Sequence, residues 1–294
     1  MSKVLVFGGT RFLGKELVKE LLINGHDVTI ATTKEMEDSF KDKVKRIFVN
    51  KRDYNDLSNA LKDKEYDVVY DTISYSSNDG IRMCKALNGK IKKYIVVSSI
   101  AVYDYGNNLG EKCFDPNKYN IVMGEKEDFS YKEGKRLMEA STYKNAKFKV
   151  IAVRFPVVIG KDDSSERLLT YIKKVKNKET IYSTKLNSYM NMITQNEAGI
   201  FLAWLLDKDI HGPINAACIG KISIKGIINS IEDELKIEGI VNNNIDKEET
   251  SPYNKWTDIT MDIKNIMEIG GYRFKEVHSE VRDIIKYYKN NFNI

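Results

Sequence analysis

Near its start the chain passes from a short apolar run, Val4-Leu5-Val6-Phe7, into Gly8-Gly9-Thr10-Arg11-Phe12-Leu13-Gly14. Directly afterwards Leu13, Leu17, Val18, Leu21 and Leu22 recur at helical spacing, and Asn24-Gly25 ends the pattern. An unbroken apolar run suits a strand buried on both faces, which a parallel sheet covered by helices provides. A tight glycine turn between such a strand and a long amphipathic helix narrows the fold more than any other feature of the sequence. Glycines alone are common in surface turns; the strand before and the helix after make this turn specific.

The same rhythm continues. Val28-Thr29-Ile30-Ala31, Arg46-Ile47-Phe48-Val49, Asp67-Val68-Val69-Tyr70-Asp71, Tyr94-Ile95-Val96-Val97-Ser98 and Val150-Ile151-Ala152-Val153 read as further strands, with a helix around 131–143. Strands alternating with helices give a parallel sheet wound on both faces. After Pro156 the pattern changes, and helices are predicted at 166–177, 196–207, 223–236 and 277–290. The expected fold is α/β: a doubly wound parallel-sheet Rossmann fold with a smaller C-terminal substrate lobe. Residues 1–158 form the dinucleotide-binding domain, 190–218 return to it, and 159–189 with 219–294 make the lobe.

Composition excludes several classes. The 47 Lys and Arg against 42 Asp and Glu leave a formal net charge of +5. The lysine-dense stretches are interrupted by acidic or apolar residues, so they read as solvated surface rather than a nucleic-acid footprint, and leave room for anionic small molecules. Cys84, Cys113 and Cys218 are odd in number and far apart. They fit neither a disulfide framework nor a metal site, which points to a reducing cytoplasm. The first residues lack a signal-peptide pattern, and no apolar run approaches ~18 residues, so no membrane span is expected.

The glycine turn is expected to hold a nicotinamide dinucleotide through Gly8, Gly9, Thr10, Arg11, Phe12, Leu13 and Gly14. Bare backbone lets a pyrophosphate approach, and free N–H groups at the helix N-terminus favour the anion. The second strand ends Ala31-Thr32-Thr33-Lys34, with no acid before Glu35. A carboxylate there would repel a 2′-phosphate, whereas Thr33, Lys34 and Arg11 suit one, so NADP is favoured and NAD is the alternative.

Tyr131 and Lys135 lie four apart on a predicted helix and share a face. A phenol of pKa ~10 is a poor base near neutrality, and a nearby ammonium stabilises its phenolate. Ser98 and Ser99 close the fifth strand, at the end where such sheets bind ligands.

Taken in order, the glycine turn, Ser98-Ser99-Ile100-Ala101-Val102-Tyr103, Tyr131-Lys132-Glu133-Gly134-Lys135 and Arg154-Phe155-Pro156-Val157-Val158-Ile159-Gly160 resemble the extended short-chain dehydrogenase/reductase family, which contains sugar-nucleotide epimerases and dehydratases. Ser251-Pro252-Tyr253 and Asp258-Ile259-Thr260-Met261-Asp262 are similar to bacterial members with the same glycine turn. The resemblance implies hydride transfer at a hydroxyl- or carbonyl-bearing carbon of a small molecule, with sugars and nucleotide sugars as candidates. Ser99 would orient the substrate and Tyr131 would be the acid/base. Lys135 would lower the tyrosine pKa and hold the nicotinamide ribose. Arg154 and Pro156 would line the boundary between cofactor and substrate, Thr72 and Ile73 would lie beside the adenosine ribose, and the assembly would be a homodimer.

Three departures stand out. Asn50 or Lys51 occupies the place of the family's adenine-contacting aspartate, with Asp53 as a substitute. The segment Tyr189 to Ala198 lacks the arginine expected of a diphosphate-binding enzyme and has Asn196 where aspartate is usual. Arg167, Lys173 and Arg273 are then the candidate cations. The altered segment and the basic balance also support an alternative: a non-catalytic NAD(P)-binding sensor or RNA-associated protein on the same fold.

Overall fold

The computed structural model describes residues 1–35, 38–243, 251–253 and 257–292. Seven strands make the central sheet: β1 (Lys3–Phe7), β2 (Asp27–Thr32), β3 (Lys45–Phe48), β4 (Tyr66–Asp71), β5 (Ile91–Ser99), β6 (Lys149–Phe155) and β7 (Gly212–Asn215). Every pairing is parallel, in the order β7-β6-β5-β4-β1-β2-β3. The doubly wound Rossmann fold is therefore present, with one strand more than the sequence pattern indicates. β7, Gly-Pro-Ile-Asn, has no apolar run to mark it; its partner strand β6 supplies the register, with Ile214 opposite Val153.

Side-chain alternation divides the core in two. Val4 and Val6 of β1 face one layer with Leu17, Val18 and Leu21 of α1 (Phe12–Ile23), while Leu5 and Phe7 face the other. That second layer holds Leu57 of α2 (Tyr54–Ala60), Met83 and Leu87 of α3 (Ser77–Leu87) and Met138 of α4 (Tyr131–Asn145). Both faces of each central strand are dry, which explains the continuous apolar runs.

Beyond the sheet follow α5 (Arg167–Lys176), α6 (Gln195–Trp204), α7 (Ile224–Leu235), α8 (Lys264–Ile269) and α9 (Val277–Asn291). Helix α6 packs on α1, where Gly199 leaves no room for a side chain against Glu16 and Leu17. A four-stranded sheet of Ile222–Ser223, Tyr189–Met190, Ile259–Met261 and Gly106–Leu109 covers the region above β5 and β6. It brings Met190 and Ile259 over the carboxyl ends of the parallel strands, where they form the far wall of a cleft.

Candidate active site

The winding of the sheet reverses between β1 and β4: α1 leaves to one face and α3 to the other, so a crevice opens above the two strand ends. It widens into a cleft of about 850 Å³. One end is lined by Gly8, Thr10, Arg11, Phe12, Leu13 and Gly14, with Thr72 and Ile73 from the end of β4. The middle is lined by Ser98, Ser99, Tyr131, Lys135 and Pro156, and the far side by Tyr105, Val158, Arg167, Met190, Asn191 and Ile259.

The turn has the shape a phosphate cradle needs. Gly8 has φ +81°, and a Cβ on it would lie 2.2 Å from Thr72 Oγ1. At Gly14 a Cβ would fall 2.0 Å from the Gly8 carbonyl oxygen, so α1 can sit this close to the turn only without a side chain. Arg11, by contrast, has extended backbone (φ −137°, ψ 158°), which any residue adopts. This is why an arginine is tolerated where glycine is commoner. No side chain caps α1, whereas Asp53, Ser76, Ser130 and Thr194 cap α2, α3, α4 and α6. The bare cradle and the uncapped N–H groups fit a dinucleotide pyrophosphate. Gly9 is buried beneath the turn; Thr33 and Lys34 stand exposed just beyond β2, outside the cleft.

At the centre, Ser130 caps α4 through Glu133 N–H (3.2 Å), which fixes Tyr131 as the first helical residue with Lys135 one turn below it. Ser99 ends β5, and its Oγ accepts from Ala101 N–H at 3.1 Å. Tyr131 keeps 55% of its surface open, yet the cleft walls desolvate its hydroxyl and raise its pKa; a hydrogen bond with Ser99 and the charge of Arg167 pull it partly back. Lys135 is not among the groups that lower it. Lys135 is itself only 2% exposed, and burial pushes its amine down to about 7. Its Nζ donates to the carbonyls of Ser74 (2.7 Å) and Val97 (2.8 Å) and lies 4.2 Å from the centre of the Tyr75 ring.

Three expectations are corrected. Arg154 does not line the cleft: it is fully buried, paired with Glu139 Oε2 at 2.6 Å and donating to Tyr103 Oη and the carbonyls of Glu111 and Phe114. A guanidinium so enclosed has every donor occupied by protein. Asp53 caps α2, its Oδ1 accepting from Asn55 and Asp56 N–H, and it is not among the residues that line the cleft. Of the candidate cations, Arg167 lines the cleft; Lys173 pairs with Glu166 at 3.2 Å, and Arg273 is exposed outside it.

The pattern of the sequence missed Glu139, although it lies eight residues after Tyr131 and so falls on the same face of α4. Its Oε1 accepts from Ser98 Oγ at 2.5 Å and from Arg154 Nε at 3.0 Å. Tyr131, Lys135 and Glu139 thus form one polar column running from the cleft into the core. Among the described residues the cleft lining includes Arg11, Lys132, Lys135 and Arg167 and no carboxylate. No described helix is long and apolar enough to cross a membrane.

In comparison with known proteins, residues 4–192 match the model of the NAD dependent epimerase/dehydratase family. A stretch of 149 residues is 32% identical to the chloroplast stem-loop binding protein of 41 kDa b from Arabidopsis thaliana, covering 45% of this chain and 39% of that protein. The match therefore spans about two-fifths of that relative's length. Three solved structures share the fold. WbmG from Bordetella bronchiseptica, in complex with NAD and UDP, has a TM-score of 0.77 at 14% identity, covering 98% of this chain and 95% of that one. dTDP-glucose 4,6-dehydratase from Bacillus anthracis, in complex with NAD, gives 0.76 at 13%, covering 100% and 98%. UDP-glucose 4-epimerase from Thermus thermophilus, also with NAD, gives 0.72 at 14%, covering 98% and 99%.

Proposed function

The chain belongs to the NAD dependent epimerase/dehydratase family, a family of enzymes, and from that premise we propose that its cleft carries out hydride transfer at a hydroxyl- or carbonyl-bearing carbon of a sugar or nucleotide sugar. The observation that carries this reading is that the glycine cradle and the group Ser99, Tyr131 and Lys135 line one continuous cleft. When bound, the dinucleotide supplies a nicotinamide carbon that accepts or donates the hydride.

The residues of the chain do the rest. Backbone N–H groups at the uncapped start of α1, with Gly8 and Gly14, would hold the pyrophosphate. Tyr131 Oη takes the proton from a substrate hydroxyl, or returns it to a carbonyl oxygen, and Ser99 Oγ holds that oxygen in place. Lys135, with Nζ 6.0 Å from the centre of the Tyr131 ring, would as the ammonium stabilise the phenolate that forms during proton transfer and would hold the nicotinamide ribose; with its amine pushed to about 7, this charge weakens as pH rises through neutrality. Val97, Phe155 and Pro156 give the cleft beside these groups an apolar lining. Arg167, the cation of the far side, suits a substrate phosphate or carboxylate.

NADP is the cofactor we favour: no carboxylate lines the cleft among the described residues, Arg11 lines it at the glycine turn, and Thr33 and Lys34 stand exposed just beyond β2 without an acid before Glu35. Calorimetric titration with NADPH and NADH tests this; a tenfold preference for NADH, ~1.4 kcal/mol, would reverse the choice.

A second reading, an RNA-associated protein on this fold, draws support from the stem-loop binding relative. RNA binding that is weakened by salt but indifferent to cofactor and to Tyr131→Phe would favour it.

A further inference from the structure

Behind the cleft wall two buried lysines share one serine. Lys51, just beyond β3, has its Nζ 2.5 Å from Ser74 Oγ and 2.5 Å from Asp71 Oδ2. Asp71, fully buried at the end of β4, also accepts from Ser74 Oγ (2.8 Å), Tyr94 Oη (2.8 Å) and Ile73 N–H (2.9 Å). On its other side Ser74 offers its carbonyl to Lys135 Nζ at 2.7 Å. Lys51 therefore holds the enclosed carboxylate directly, while Lys135 is linked to it only through Ser74.

We propose that Lys51 is a positioning residue: by holding Asp71 and Ser74 it sets how readily Lys135 gives up its proton, and so the pH at which a positive charge stands beside Tyr131.

The groups around Lys135 come from every neighbouring element. Asp71 follows from β4, Asp79 from α3 with Arg82 at 3.0 Å, and Glu139 from α4 itself, paired to Arg154 of β6. The rings of Tyr75 and Tyr131 face it at 4.2 and 6.0 Å, and Lys126 lies on Tyr75 at 4.6 Å. Asp71, Glu139 and Asp79 favour the ammonium, while burial and Lys51 oppose it. Removing the Lys51 charge leaves Asp71 with three hydrogen bonds and its field on Lys135 unopposed. A simple staple would not need this placement, since a buried ion pair adds little that apolar packing would not.

The consequence for turnover rests on the role proposed above for Lys135; the titration itself does not. The test is an NMR titration of the full-length protein with ¹³Cε-labelled lysine, the Lys135 signal being identified by its loss in Lys135→Arg. The wild-type midpoint is expected near 7. Lys51→Met should raise it by about one pH unit, a tenfold change in proton affinity, and Lys51→Arg should leave it in place. Lys51→Gln, which keeps a polar atom for Ser74, should move it in the same direction and serves if Lys51→Met does not fold. A midpoint that stays near 7 once the Lys51 charge is removed overturns the proposal. A midpoint that moves while the pH profile of turnover does not would uphold it, and would instead refute the role of Lys135 in the reaction.

Discussion

Replacing Gly14 with alanine isolates the cradle from the rest of the fold. The new Cβ would lie 2.0 Å from the Gly8 carbonyl oxygen, 3.0 Å from its carbon and 3.3 Å from Gly9 Cα. All three are backbone atoms, so no rotamer change relieves the clash. The start of α1 must move away from the turn by about 1.5 Å to reach an ordinary contact distance. Overpacking of this kind costs about 1–3 kcal/mol of stability. The same movement pulls the N-terminal N–H groups of α1 away from a bound pyrophosphate. Losing one charge-assisted hydrogen bond is worth about 1.5–3 kcal/mol, which corresponds to ten- to hundredfold weaker binding. Calorimetric titration with NADPH, alongside thermal unfolding, reads both effects. Tyr70→Phe is the control: it removes the buried bond from Tyr70 Oη to the Leu202 carbonyl, outside the cleft, and should cost about 1 kcal/mol with Kd unchanged. If Gly14→Ala melted and bound cofactor like wild type, the cradle would not be where the structure puts it.

Two further outcomes follow from the polar column of α4. Lys135 titrates near 7 in the folded chain and at 10.5 as an ordinary lysine, so between those values the unfolded chain binds more protons and stability rises with pH. Lys135→Met removes that rise; the Tm difference between wild type and variant should shift in favour of wild type from pH 7 to pH 9, and a constant difference would contradict the burial argument. Glu139→Gln leaves the enclosed Arg154 without its counter-charge and should destabilise the fold by about 3–5 kcal/mol in urea unfolding, whereas a cost under about 1 kcal/mol, the range of an exposed pair, would show that the pair is not closed to solvent.

The sequence disclosed those features whose signal is local. β1, the turn and α1 are contiguous, and Tyr131 and Lys135 are one helical turn apart, so period and spacing reveal them. Ser99 was legible because it closes an apolar strand at the end where parallel sheets carry ligands. β7 was not, since Gly-Pro-Ile-Asn becomes a strand only through the β6 edge beside it. Arg154 looked like a cleft residue from its motif, but its environment depends on Glu139, Tyr103 and the loop carbonyls of Glu111 and Phe114, none adjacent in sequence. The Lys51–Asp71 pair was hidden for the same reason: the residues flank strands that β1 and β2 separate in the sheet. Glu139 alone could have been found, by extending the face of Tyr131 and Lys135 one turn further.

In the proposed reaction Tyr131 moves the proton that accompanies hydride transfer in this cleft. Its most direct test supplies NADPH deuterated at the transferring position with a panel of UDP- and dTDP-linked 4-keto sugars, and follows the label by mass spectrometry. With wild type, deuterium should appear on the sugar carbon. In Tyr131→Phe the rate should fall by about 10²- to 10⁴-fold while the Kd for NADPH stays the same. Label transfer at an undiminished rate in Tyr131→Phe would show that Tyr131 does not carry the proton.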